Sequence, residues 1–347
     1  MTTDEASGAL LDGPYDGAAT EADLWFLPPP GEEPDGADLG EIELCDGAAW
    51  QAAQADHAGA LARVALQFGA LDDRLRGAPA GLRQRLALME AVELSWHAGD
   101  RVAPDRLALW MGLRLPGVRD DNLALMRAAW AVRRLAGGPP PESGSAPAEL
   151  AAFLARREDG APEALGERLT EWGDVMPQGA ALHPFVRAAF GYAAWRICGI
   201  SSGAAQDVEA MVVAGRLAAG AGHGGALFLP LMLGGGAALR AAGPPQARLG
   251  GWLAAAEQAT LAALAHLDRL ADWQERARAA LAHRTGRTPP LLVEVLADWP
   301  LISAPMAETQ TGASRASIQR NLDVMAAEGL IRELTGQGRY RVWTAAL

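Results

Sequence analysis

Along most of the chain, apolar residues recur every three or four positions, the spacing of amphipathic helices. In "HAGALARVALQFGALDDRLRGAP" (57–79) the repeat is carried by Leu61, Val64, Leu66, Phe68 and Leu71, and Gly77 and Pro79 stop it. The same spacing predicts helices over 80–100, 103–115 and 119–138, with Pro104 suited to a first helical turn. A second helical run covers 147–157, 162–173, 184–198, 204–219, 226–241 and a long pair over 246–285. Its breaks fall at "MPQG", "CGISSG", "AGHGG" and "AAGPPQ". "GGPPPESGSAPAE" (137–149) has the composition of a linker between the two runs. No strand alternation occurs before residue 330, and no fixed-period repeat emerges.

The pattern changes after residue 288. A short apolar helix at 291–297 is followed by "SAPMAETQTGAS", which reads as helix, turn and helix start with Gly312 at the tight turn. The next helix spans 314–330, with Ser314 as N-cap and Gly329 as terminator. Its Ile318, Leu322 and Met325 share the buried face, while Gln319, Arg320 and Asp323 fall on the other side, and Arg315 and Ser317 flank the exposed N-terminal end. Two strands, "LIREL" and "RYRVW", are joined by Thr335-Gly336-Gln337-Gly338, a hairpin composition. Alternation puts Arg339, Arg341 and Trp343 on one strand face and Tyr340 and Val342 on the other.

These patterns predict a mainly α protein in four parts: an acidic, loosely ordered arm (1–48), a helical domain (49–137), a second helical domain (147–285) and a winged helix-turn-helix (288–347). In the last part, hydrogen-bonding side chains sit where a recognition helix meets base edges and phosphates. Arg315, Ser317, Gln319, Arg320, Arg339 and Arg341 are therefore the candidate DNA-binding residues.

Composition changes that picture only at its edges. Half of the 347 residues are hydrophobic, ample for a buried core. The net charge of −12 comes from the first segment: residues 1–50 hold 13 acidic residues and no Arg, leaving 30 Arg against 29 acidic residues beyond it. Only the local field at a contact matters, so overall acidity does not exclude a nucleic-acid partner. Two cysteines, Cys45 and Cys198, are too few for a disulfide framework and fit a reducing cytoplasm. The first residues are acidic and lack a leader pattern, and no apolar stretch reaches membrane-spanning length. "GGALFLPLMLGGGAAL" (224–239) comes nearest and reads as a buried helix.

The stretch "ALHPFVRAAFGYAAWRICG" (181–199) opens on His183, Pro184 and Phe185. It resembles the catalytic loop of Fic-domain proteins, His-Pro-Phe-x-(Asp/Glu)-Gly-Asn-Gly-Arg-x-x-Arg, which usually transfer AMP from ATP to a target hydroxyl. Arg187 stands where the metal-binding acid belongs, Ala188, Ala189, Phe190 and Gly191 replace Gly, Asn, Gly and Arg, and Ala194 replaces the last Arg. Nucleotidyl transfer needs Mg²⁺ and positive charge around the phosphates. The resemblance therefore implies a Fic-like helical core whose motif is a degenerate remnant. The chain also resembles a group of proteobacterial, rhizobial-type proteins that pair a helical domain of unknown function with a C-terminal helix-turn-helix DNA-binding domain. Leu71–Leu75, Trp96 to Gly99 and Gly336–Trp343 carry that likeness.

No histidine pair has HxxxH or HExxH spacing, the chain has no lysine for a Walker loop beside His223, and Ser201–Ser202 lack a nucleophile elbow. No cofactor, metal or enzyme activity is expected. The expected partners are double-stranded DNA and a second copy of the chain, with no membrane and with an effector unspecified. The expected function is that of a transcriptional regulator. The alternatives are a divergent Fic-type AMP transferase using His183, or an interaction scaffold whose winged helix meets protein.

Overall fold

The computed structural model describes residues 43–113, 122–138, 141, 147–154, 162–336 and 341–347. The acidic arm lies almost wholly outside the described residues. In chain order the helices are α1 (Gly47–Asp56), α2 (Ala58–Leu75), α3 (Ala80–His97), α4 (Pro104–Leu113), α5 (Asn122–Ala136), α6 (Pro147–Leu154), α7 (Pro162–Val175), α8 (Pro184–Ile197), α9 (Ala204–Ala218), α10 (Ala237–Arg240), α11 (Pro245–Ala280), α12 (Thr288–Asp298), α13 (Ala304–Thr311) and α14 (Arg315–Ala327). The strands are β1 (Ile302–Ser303), β2 (Ile331–Glu333) and β3 (Val342–Ala345). The protein is mainly helical, as the periodicity predicts.

Helix α2 shows how the pattern selects a face. Val64, Phe68, Leu71 and Leu75 are buried, a stripe at spacings of four, three and four. Leu66, counted in the apolar repeat, is instead 77% exposed. It stands two positions from Val64, on the far side of a helix with about 3.6 residues per turn. At the centre, α8 is buried nearly all round, from Phe185 through Trp195. Phe185 meets Phe68 edge-on at 5.4 Å, and Trp195 meets Trp172 at 5.6 Å. Side chains from both expected helical domains join one hydrophobic cluster that runs from Leu44 to Leu267.

The expected long pair over 246–285 is one continuous helix, α11, of 36 residues. At 1.5 Å per residue it is about 54 Å long. Its glycines, Gly250 and Gly251, lie near the N-terminal end, and no proline follows Pro245 within it, so nothing breaks the hydrogen-bond ladder. The helix serves two cores. Leu249, Trp252, Ala256 and Leu267 join the main cluster, whereas Leu270, Trp273 and Ala277 join a second one with Leu281 just past the helix end and with Leu292, Leu296, Ile318, Leu322 and Trp343.

The helix expected over 226–241 is mostly absent. Residues 222–236 are irregular, and only Ala237–Arg240 are helical. Pro230 and six glycines at 222–236 oppose a helix there. The segment is nevertheless buried, with Phe228, Leu229, Leu231 and Met232 in the core. Its backbone donors therefore need partners. Two buried carboxylates supply them. Asp72 accepts from the N–H groups of His223 and Ala226, both at 2.8 Å. Glu90 Oε1 accepts from Leu231 at 2.7 Å and Met232 at 2.9 Å, and its Oε2 from Leu233 at 3.2 Å. Gly225 permits the approach, since a Cβ there would stand 1.8 Å from the Asp72 carbonyl oxygen.

The two acids respond differently to their sites. For Asp72, burial pushes the pKa up, but the backbone donors of His223, Ala226 and Gly225 and the nearby Arg76 outweigh it and hold the pKa below 3.8. For Glu90, burial dominates the three donors and pushes the carboxyl from 4.5 up to about 7. A carboxyl raised on folding adds stability that is full below its unfolded pKa and lost as pH rises through its folded one. Glu90 therefore favours the fold below pH 4.5, and that contribution fades as pH rises through about 7. Glu90→Gln leaves the Leu233 N–H facing an amide N–H₂ or unpaired and is expected to cost about 1–3 kcal/mol at pH 5. Urea unfolding across pH 5–8 should show the gap between wild type and variant narrowing as pH rises; parallel profiles would contradict this assignment.

Candidate nucleic-acid interface

The C-terminal module is built by local signals. Ser303 Oγ accepts the Met306 N–H at 3.4 Å and caps α13, which ends at Gly312 in the left-handed region with φ +68°. Ser314 Oγ accepts the Ser317 N–H at 3.4 Å and caps α14. The far end of α14 closes in a Schellman motif: Leu330 N–H donates to Met325 C=O at 2.9 Å and Gly329 N–H to Ala326 C=O at 3.1 Å, with Gly329 at φ +70°. Ile318, Leu322 and Met325 are all fully buried, as their spacing predicts.

Strand β3 pairs antiparallel with β2 in the register Ile331↔Ala345, Arg332↔Thr344, Glu333↔Trp343. It also pairs with β1, Ile302↔Trp343 and Ser303↔Val342, which gives the sheet order β1-β3-β2. Strand β1 lies before residue 330, where no strand is expected. Its two residues are too few to alternate, and it exists because β3 presents a free edge. Three helices and a three-stranded sheet of this order form a winged helix. Residues 337–340, including Arg339 and half of the expected turn, lie outside the described residues.

The module is attached on the sides away from the outward face of α14. Trp273 of α11 donates its indole N–H to Leu330 C=O at 2.7 Å. From α3, buried Arg85 donates through Nη2 to Leu296 C=O at 2.8 Å and Trp299 C=O at 2.5 Å, at the C-terminal end of α12. One turn earlier on α3, a Cβ at Gly81 would lie 2.6 Å from the Asp298 carbonyl oxygen.

Of the candidate residues, Arg315, Gln319, Arg320 and Arg341 are brought to one surface. Arg315 Nε donates to Glu308 Oε1 at 2.9 Å, and its side chain is 70% exposed. Gln319 Nε2 donates to Asp323 Oδ1 at 3.0 Å. Arg341 bridges the sheet and α14, donating through Nε to Glu333 Oε2 at 3.1 Å and through Nη1 to Asp323 Oδ1 at 3.2 Å. It also lies 5.1 Å from the centre of the Trp343 ring. Arg320 is exposed and bonds only its own helix, with Nε on Ala316 C=O at 3.2 Å. Among the described residues it has no carboxylate within ion-pair distance. Ser317 is placed differently from its expected exposed position. Its Oγ is 2.9 Å from Thr288 Oγ1, so the hydroxyl is turned toward α12. Sequence spacing missed the acids Glu308, Asp323 and Glu333 as partners, although Asp323 stands four residues from Gln319, the spacing of helix-surface neighbours.

The His-Pro-Phe stretch lies in the other core. His183 caps α8: its Nδ1 accepts the Phe185 N–H at 3.3 Å, and its own backbone N–H donates to Gln54 Oε1 at 2.8 Å. Burial pushes the imidazole pKa below 6.5. Pro184 takes the first helical position and Phe185 is fully buried. Arg187 and Pro184 border a cavity of about 650 Å³ with Arg216 on its wall. No group of three or more His, Cys, Asp or Glu side chains among the described residues could hold a metal ion. No helix among them is long and apolar enough to cross a membrane.

Residues 289–345 match the family described as HTH DNA binding domain. This class agrees with the caps, turn and sheet order above: the C-terminal module is a helix-turn-helix DNA-binding domain. The match covers that module alone. No curated protein matches the chain.

Among the described candidate residues, the geometry separates Arg315 and Arg341, which are paired with acids, from Arg320, which is not. Arg320→Ala is expected to weaken duplex binding by about 1 kcal/mol or more, roughly fivefold. Asp323→Asn should strengthen it a few-fold, because it removes a carboxylate that competes with phosphate for Arg341. Fluorescence polarisation with labelled duplexes at low salt measures both. Unchanged affinity in both variants would contradict this docking face.

Proposed function

We propose that the protein binds double-stranded DNA as a homodimer through α14 and the wing and acts as a transcriptional regulator. Arg315, Gln319, Arg320 and Arg341 would meet DNA, with Ser317 supporting the helix start; the contact expected of Arg339 lies outside the described residues. The observation that carries this reading is the outward Arg320, flanked by Arg315 and Gln319, on the third helix of a module matching an HTH DNA binding domain. A helix N-terminus capped by Ser314 also favours a phosphate there. Residues 290–347 hold five Arg against six acidic residues, so one module offers few phosphate contacts and two modules bind far better than one.

In this reading the helical part serves dimerisation or sensing and has no transfer chemistry. The likeness to a Fic scaffold and to the rhizobial-type proteins belongs to the same proposal. Two features support a remnant motif. His183 is engaged as a helix cap, and residues that would have to form a glycine-rich phosphate loop are instead helical, with Phe190 fully buried. His183→Ala should then cost about 1 kcal/mol of stability, with His183→Asn retaining most of it. Neither variant should change incorporation of label from ATP and magnesium, which is expected to be nil. Label bound by wild type and lost in His183→Ala would establish the transferase alternative.

DNA binding itself is tested by its salt dependence. Each neutralised phosphate contributes about −0.9 to the slope of log K against log salt. Three contacts per module predict a slope of about −3 for one module and about −5 for a dimer. A slope near zero would favour a protein-binding winged helix.

A further inference from the structure

Between the helical core and the winged helix lies a cavity of about 730 Å³. This is the size range of small-molecule sites, about 300–1,000 Å³. Its helical wall carries Arg85, Leu88 and Met89 from α3, Ala108 from α4 and His266 from α11. Its other wall is the wing: Arg332 of β2 and Thr344 and Ala345 of β3.

Two wall residues are buried polar groups with unused hydrogen-bonding capacity. Arg85 is 4% exposed and His266 6%. Among the described residues, Arg85 Nε and His266 Nε2 have no hydrogen-bond partner, and each has almost no accessible surface of its own. A buried cation is costly unless an opposite charge compensates it. Arg85 has two backbone carbonyls at the end of α12, worth about half a negative charge. Among the described residues no carboxylate lies within ion-pair distance of it. The nearest acid acting on it is Asp298, whose own carboxyl is pushed up by burial first and by Glu294, against the pull of Arg85. Asp105 is exposed at the rim. Arg332 is exposed on the opposite wall, also without an acid within ion-pair distance among the described residues. Burial, and then Arg85 and Arg269, hold the His266 pKa down at about 4, so the ring is neutral at pH 7 and can donate or accept one bond. Leu88, Met89, Pro104 and Ala108 make the remaining helical surface apolar apart from Asp105.

We propose that this cavity binds an amphipathic organic anion, with its carboxylate toward Arg85, His266 and Arg332 and its apolar body against Leu88, Met89 and Ala108. Because one wall is the wing, the ligand contacts both parts and its binding energy depends on their relative placement. It would therefore shift the orientation of α14 by its differential affinity for the two arrangements. This second step rests on the DNA-binding reading, whereas the site does not.

Calorimetry on the full chain without DNA tests the site. The probes are benzoate, phenylacetate, 4-phenylbutyrate and 6-phenylhexanoate, each beside its primary amide. At least one acid should bind saturably at one site per chain, with its amide about tenfold or more weaker. Arg332→Gln, on an exposed position that does not threaten folding, should weaken the acid and spare the amide. Ala108→Trp, which adds bulk to the apolar wall, should weaken both. No binding by any acid, equal binding of acid and amide, or binding by Ala108→Trp as tight as by wild type would overturn the site. The bound acid should also change duplex affinity several-fold. An unchanged affinity with the site occupied would overturn the coupling alone, and an absence of any duplex binding would instead reject the DNA reading.

Discussion

The buried guanidinium of Arg85 at the end of α12 fixes how the DNA-binding module sits on the rest of the protein. Helix α12 leaves its last carbonyls without intrahelical partners, and the end is buried against α3. Arg85 satisfies two of these groups while its charge opposes the helix dipole. Gly81 lets the backbones come close enough for that contact. Helix α11 completes the attachment because one rod supplies side chains to both cores and hands Trp273 to the corner after α14. The outward side of α14 is left for recognition by what these contacts occupy.

That outward side is not a bare basic patch. Glu308, Asp323 and Glu333 hold Arg315 and Arg341 in defined rotamers, and Arg341 is also stacked on Trp343. Pairing of this kind lowers the general attraction to phosphate and leaves shape and hydrogen-bond pattern a larger share of the discrimination. The sheet behind it forms a wall of the cavity bordered by Arg85. The same residue thus anchors the module and marks the place where a ligand could be felt by it.

What could be read from the chain divides by range. Gly312, Ser314 and Gly329 act through torsion and capping within a few residues, so their roles were legible as letters. Ile318, Leu322 and Met325 were legible because a helix turns their spacing into one face. Asp72 and Glu90 were not, since their partners stand about 150 and 140 positions away. Periodicity therefore took the buried 226–241 stretch for a helix, when side-chain carboxylates replace the backbone acceptors a helix would supply. Leu66 misled because apolar character alone does not define a stripe. Ser317 was placed on the right turn, but whether its hydroxyl pointed outward depended on Thr288 of another helix. Strand β1 had no signal of its own and is created by the edge it joins.

The chain has no lysine and 30 arginines, so one reagent reports on its permanently cationic surface. Arginine-specific covalent labelling, read by mass spectrometry with and without a mixed-sequence duplex at low salt, examines the reading face directly. The account predicts that Arg315, Arg320 and Arg341 lose reactivity when DNA is present, while Arg63 and Arg278, exposed on α2 and α11, keep theirs. Equal labelling of Arg315, Arg320 and Arg341 in the presence of bound DNA would contradict it.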